Sequence, residues 1–229
     1  MIATFLIALL LAPEPDAAGL IAAGAACARE EAGAVFLPEH GIICLDGHTD
    51  EELAAGFADL IERHGDDVRL VGVSGPGGPV MPALDIADEI LVRGLDTVVT
   101  ENCISSCAQF LFMAGEHKYL LPDRHVFIHG GPTSEDRVRE MDLDRETQDW
   151  VIAQNRRFAD FYARIGVDLA LLTTPPPSVA ERLRNGQIVF WAVEPEEMAS
   201  HGVRNAIRIT PPEGLGGRTM TAAAESPAH

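Results

Sequence analysis

The chain has 229 residues, 47% of them apolar, enough for one domain with a substantial hydrophobic core. Acidic residues number 35 against 17 basic ones, a formal charge of −18, and Lys118 is the only lysine. Such a surface repels phosphate backbones and anionic lipid, which argues against nucleic acid as a partner.

The N-terminus reads MIATFLIALLLAPEPDAAGLIAAGAACA. Its apolar run, residues 2–12, has the length of a secretory h-region, with small residues suited to cleavage after it, and is too short to span a bilayer as a helix. A leader over 1–28 is expected, and with it export to a periplasmic or secreted location. Four cysteines, Cys27, Cys44, Cys103 and Cys107, are an even number. An exported chain can pair them into two disulfides, and four cysteines allow three pairings. The Cys-x3-Cys spacing has no histidine pair at ligand distance in sequence, so neither a metal nor another cofactor is expected.

A single domain is expected over 33–208. The stretches AVFL and GIICL read as short strands around the turn PEHG. Thr49 followed by Glu52 forms a capping-box pattern, and Leu53, Phe57, Leu60 and Ile61 then share one helical face. A buried strand (68–74), a Gly/Pro loop, a helix (80–93) and a further strand (DTVVT) follow. CISSCAQFLFMAG supplies the next helix, with Ser106 and Gln109 spaced as a capping box. KYLL and HVFI are strands around PDR, and 130–137 is a polar loop. A long helix is expected over 139–165, a short one over 178–184, a strand at QIVFWAV and a closing helix ended by Gly202. From 209 to 229 the Pro, Gly and Ala content predicts a disordered tail. Strand–helix alternation makes the fold class α/β.

Three pieces can carry chemistry. SGPGGPV lies at a strand-to-helix turn, where adjacent glycines let backbone N–H groups approach an anion. Ser105-Ser106-Cys107 opens an apolar helix, where N–H dipoles favour negative charge. His129 stands at a strand end beside Gly-Gly, placed for a general base. Each has a plain structural reading of its own: a turn, an N-cap and an isolated histidine.

In combination the pieces resemble the Clp protease proteolytic subunit (ClpP) family. VSGPGGPVMPALDIADEI is similar to its Pro-Gly-Gly loop and following helix. SCAQFLFMAG is similar to its serine helix, with nine positions from Ser106 to Gly115, and LLPDRHVFIHGGP to its Leu-Pro-Asn turn and Ile-His strand end. FWAVEPEEMASHGV resembles its closing helix, so the ordered likeness covers about 71–203. It is nearest to exported, stand-alone members with a Cys-x-Ser-x-Cys serine motif.

The resemblance implies a ClpP/crotonase-like fold and a homo-oligomer. It also implies an ATP-independent serine peptidase acting on peptides or unfolded chains. Ser106 would be the nucleophile, His129 the base, and the N–H groups of Gly78 and Cys107 the oxyanion hole. Ser105 fits the spacing to Ala-Gly less well. The family's acid should lie in SVAERLRNGQ, which has no Asp, so Glu181 and Asn185 are the candidates. Two other readings stay open: a non-catalytic binding or assembly protein on this scaffold, and crotonase-type acyl-CoA chemistry, which the paucity of basic residues disfavours.

Overall fold

The computed structural model describes residues 17–185, 187 and 189–210. Among them, eight strands form one mixed, mostly parallel sheet. Its main path runs β1 (Gly33–Leu37), β2 (Ile42–Asp46), β3 (Leu70–Gly75), β4 (Asp96–Ile104), β5 (Lys118–Leu120) and β8 (Ala206–Arg208). β4 divides its partners: Thr97 to Val99 pair with β5, while Asn102 to Ile104 pair with β6 (His125–Ile128). β7 (Trp191–Ala192) runs antiparallel to β6, and β1 antiparallel to β2; the other pairings are parallel. The α/β class expected from strand–helix alternation is the class observed.

The central strands are continuous apolar runs because both faces of the sheet are covered. In β2, Ile43 and Leu45 join the large core, where α2 (Glu51–His64), α3 (Val80–Arg93) and α5 (Arg145–Ile165) pack. Ile42 and Cys44 point to the opposite face, against Leu20, Ala23 and Cys27 of α1 (Ala17–Cys27). A disulfide joins Cys27 to Cys44. The folded body therefore begins before residue 33. Residues 1–16 of the expected leader lie outside the described residues, but Ala17–Cys27, assigned to the same leader, is a helix covering the sheet. The expected tail also lies outside, apart from Ile209, which is buried in this second core, and Thr210.

The buried face of α2 is the one its periodicity indicates, Leu53, Phe57, Leu60 and Ile61. Its cap differs. Asp50, not Thr49, accepts from the N–H groups of Glu52 (3.1 Å) and Leu53 (3.0 Å). A carboxylate one residue nearer the first turn reaches both donors. Thr49 is buried instead, and its N–H donates to the Gly77 carbonyl at 3.0 Å.

The helix expected over 139–165 is two. α4 (Glu135–Arg139) takes the end of the polar loop, and α5 starts afresh at Asp144, whose carboxylate accepts from Thr147 N–H at 2.9 Å. Arg157 of α5 reaches Asp85 (2.7 Å) and Asp88 (2.9 Å) of α3, fastening α5 across the core. α6 (Ala170–Thr173), α7 (Pro177–Arg184) and α8 (Pro195–Ser200) complete the chain. Among the described residues of the strand expected at QIVFWAV, Trp191–Ala192 form β7 and Ile188 lies outside them; β8 extends the sheet without having been expected. Among the described residues no helix is long and apolar enough to cross a membrane.

Candidate active site

Strands β3, β4 and β6 end side by side, with Gly75 opposite Cys103 and Ile104 opposite Phe127. The carboxyl ends of parallel strands are where open α/β sheets gather ligands and reactive groups. Each of the three pieces picked out in the sequence leaves one of these ends.

From β3 comes Pro76-Gly77-Gly78-Pro79. Gly77 has φ +83°, and a β-carbon there would lie 2.6 Å from the Ile104 carbonyl oxygen and 2.8 Å from Ser106 N. Only glycine allows the loop to lie directly on the turn that follows β4.

From β4 comes Ser105, with φ +56°, a left-handed conformation that a non-glycine side chain seldom adopts. Its N–H donates to the Phe127 carbonyl at 2.9 Å, which fastens the turn to β6. A second disulfide, Cys103–Cys107, spans the turn. Cys107–Phe112 is then a π-helix, buried throughout.

From β6 comes His129. Its Nε2 lies 2.8 Å from Ser105 Oγ. With the ring proton on Nδ1, Nε2 accepts from the Ser105 hydroxyl. Burial holds the imidazole pKa below its ordinary 6.5, so the ring is neutral and basic at pH 7. Phe190 packs edge-on against the ring, centroids 5.2 Å apart. The Gln109 side-chain amide donates to the His129 carbonyl at 2.8 Å, and Tyr162 O–H donates to the Gln109 carbonyl at 3.0 Å.

The structure thus brings His129 to Ser105, not to Ser106. Ser106 is 2% exposed, and its Oγ accepts from Gly78 N–H (2.6 Å) and donates to the Gly78 carbonyl (3.0 Å). The helix that follows is a π-helix, which bonds i to i+5 and takes more residues per turn than an α-helix, so a residue count that assumes an α-helix does not carry over to it. The Ser106–Gln109 capping box is likewise not formed: Ser106 already has helical dihedrals, and Gln109 serves His129 instead.

Of the expected oxyanion donors, Gly78 N–H already has a partner, Ser106 Oγ, and the N–H next after Ser105 belongs to Ser106, not to Cys107. Neither Glu181 nor Asn185 accompanies His129. Glu181 is an exposed residue of α7, and Asn185 is the exposed cap of that helix, its N–H directed back to Glu181 O. Among the described residues no carboxylate bonds the His129 ring, and Phe190 is the ring that packs edge-on beside it. Phe190 and Gln109 are the two site residues that sequence reasoning missed. An uncharged polar residue inside an otherwise apolar helix was the available signal for Gln109.

Lys118 lies at the other end of the π-helix, where Nζ donates to the carbonyls of Gly115 (2.6 Å) and Arg204 (3.1 Å). It lines a cavity of about 510 Å³ with Leu91, Met113, Arg164 and Arg204 that contains neither Ser105 nor His129. Among the described residues no group of His, Cys, Asp and Glu is arranged to hold a metal ion. No protein-family model and no curated protein matches the chain.

Proposed function

We propose that the protein is a serine hydrolase of ClpP/crotonase-like fold, acting on peptides or unfolded chains, with Ser105 as nucleophile and His129 as general base. The 2.8 Å approach of Ser105 Oγ to a neutral, half-buried imidazole carries this reading. It differs from the resemblance-based expectation by one residue in the nucleophile.

In this reading Ser105 Oγ attacks the scissile carbonyl carbon as Nε2 takes the hydroxyl proton. The carbonyl oxygen becomes an oxyanion beside Ser106 N–H, which opens the helix and so has no acceptor one turn back. Gly78 N–H can add a second bond by leaving Ser106 Oγ. The C–N bond then breaks as Nε2 returns its proton to the departing amine. Water, deprotonated by His129, releases the acyl group and restores Ser105. A dyad without a carboxylate on Nδ1 leaves the imidazolium unstabilised by charge, so turnover should be slow compared with a full triad.

The two disulfides support folding in an oxidising compartment, which fits an exported protein working without an ATP-driven partner. Exposed Met141, Leu143 and Trp150, around the start of α5, support self-association. The missing carboxylate favours a second reading, a non-catalytic binding protein on the same scaffold. A small fluorophosphonate probe separates the two. The hydrolase reading expects labelling that mass spectrometry maps to Ser105 and that Ser105→Ala and His129→Ala abolish. A folded wild type that stays unlabelled, or is labelled independently of His129, overturns it.

A further inference from the structure

We propose that the Cys103–Cys107 disulfide is the positioning element of the Ser105 nucleophile, so that the site assembles only in chains that form this bond. The inference rests on the reading of Ser105 as the reactive group.

Ser105 sits at the centre of the ring that the disulfide closes, two residues from each cysteine. Its left-handed backbone is intrinsically unfavourable for a residue with a β-carbon, and such conformations persist only where the surroundings enforce them. Ser106 supplies no capping bond to its helix, because its hydroxyl is committed to Gly78. The backbone bonds of Ser105, from its N–H to the Phe127 carbonyl (2.9 Å) and from Gln109 N–H to its carbonyl (2.8 Å), hold the residue itself, and the constraint that joins the two ends of the turn is covalent. Cys103 belongs to β4, held in register between β3 and β6, and Cys107 is the first residue of the π-helix; both are fully buried. The bond fixes the strand end and the helix start 5.3 Å apart at Cα, which leaves the three residues between them little choice of path.

Loop length separates this role from general stabilisation. A cross-link over 4 residues of sequence removes much less chain entropy from the unfolded state than one over 17. Cys103–Cys107 is therefore the weaker contributor to global stability and the stronger local constraint. Cys27–Cys44 is the reverse: it ties α1 to β2 on the opposite face of the sheet and touches no residue of the dyad. Full burial also keeps a reductant from Cys103 and Cys107 in the folded protein, so their state is decided during folding. Forming the bond removes two protons and two electrons from the two thiols. A small-molecule or protein disulfide accepts them by thiol–disulfide exchange.

The test compares Cys103→Ala/Cys107→Ala with Cys27→Ala/Cys44→Ala. Two readouts are used: the fluorophosphonate labelling rate, and the ¹⁵N shift of His129 Nε2, which reports the bond to Ser105 whether or not the serine reacts. The first variant should stay folded, label on the order of 100-fold more slowly, as expected for a misplaced reacting group, and shift Nε2. The second should melt earlier yet label at the wild-type rate with an unchanged Nε2. Wild-type labelling in the first variant, or equal losses in both, overturns the proposal. If the wild type itself does not label, the hydrolase reading fails, and an unmoved Nε2 would separately sink the positioning role. Should the first variant not fold, Cys27→Ala/Cys44→Ala protein refolded in reductant replaces it. That protein is expected to be unreactive, and the same protein refolded with a disulfide oxidant present reactive; labelling of the reduced form counts against the proposal.

Discussion

Exchanging the two adjacent serines for alanine, one at a time, should give opposite phenotypes. Ser106→Ala removes the hydroxyl of a buried residue, 2% exposed, and strips the Gly78 N–H and carbonyl of their shared partner. Leaving a buried donor or acceptor unpaired costs about 1–3 kcal/mol. Gly78 is only half-buried, so water recovers part of this, and a loss of about 1–2 kcal/mol is expected. For a domain of this size that lowers Tm by roughly 2–8 °C. Ser105→Ala keeps the backbone strain, loses one hydrogen bond to a half-exposed imidazole, and should cost less than about 1 kcal/mol. Reactivity runs the other way. Ser105→Ala should abolish fluorophosphonate labelling, whereas Ser106→Ala should retain it at a reduced rate, because Ser106 N–H remains and Gly78 N–H is released. Thermal melts and labelling time courses on the two proteins decide the matter. A stable, unreactive Ser106→Ala beside a reactive Ser105→Ala would return the nucleophile to Ser106.

Other expectations concern the surroundings of the dyad. Because burial depresses the His129 pKa, the labelling rate should fall on acidification only below the ordinary 6.5; Phe190→Ala admits water to the ring and should move that limb to higher pH, while an unmoved limb would exclude Phe190 from the effect. The same depressed pKa means that folding stability contributed by the neutral ring is complete above 6.5 and is lost as pH falls through the folded value, a loss that His129→Phe should remove in pH-dependent urea melts. Lys118, held by burial at a pKa of about 8, makes stability rise between pH 8 and 10, since the unfolded chain binds the extra proton there; Lys118→Met should flatten that rise. Gly77→Ala drives a β-carbon into Ile104 O and Ser106 N at positive φ, so both melting temperature and labelling should drop, and a neutral result would show that the loop does not rest on the turn. Opening the 17-residue Cys27–Cys44 link should cost about 3 kcal/mol in denaturant titrations.

Much of the framework was legible because it rests on patterns of short range. The face of α2 follows from Leu53, Phe57, Leu60 and Ile61, and β3, α3 and β6 lie where apolar runs, glycines and prolines place them. What the sequence hid depends on partners distant in the chain. Ala17–Cys27 has the composition of a leader, and only the sheet face formed by Ile42, Leu70 and Val98 makes it a core helix. The break at Asp144 is a competition between continuing a helix and capping a new one, and both are locally satisfactory. Phe190 reads as a strand residue until His129 is beside it.

The difference between Ser106, the expected nucleophile, and Ser105, the serine that meets His129, has a different reason, which concerns how sequence separation becomes position. Counting nine residues from Ser106 to Gly115 converts to a place in space only through an assumed number of residues per turn. The π-helix over Cys107–Phe112 breaks that assumption by bonding i to i+5. The cysteines gave a count independent of the helix: Ser105 is the residue equidistant from Cys103 and Cys107, and the disulfide closes on it. A count taken across a covalent ring is insensitive to helix type, whereas one taken along a helix is not. The two functions first assigned to Ser106, reactive oxygen and buried anchor of the helix start, are therefore divided. Ser105 takes the oxygen that meets His129, and Ser106 keeps the anchor, through Gly78. The Ser106 hydroxyl cannot serve both as it stands, because its single proton is donated to the Gly78 carbonyl and none is left to pass to His129 unless that bond breaks.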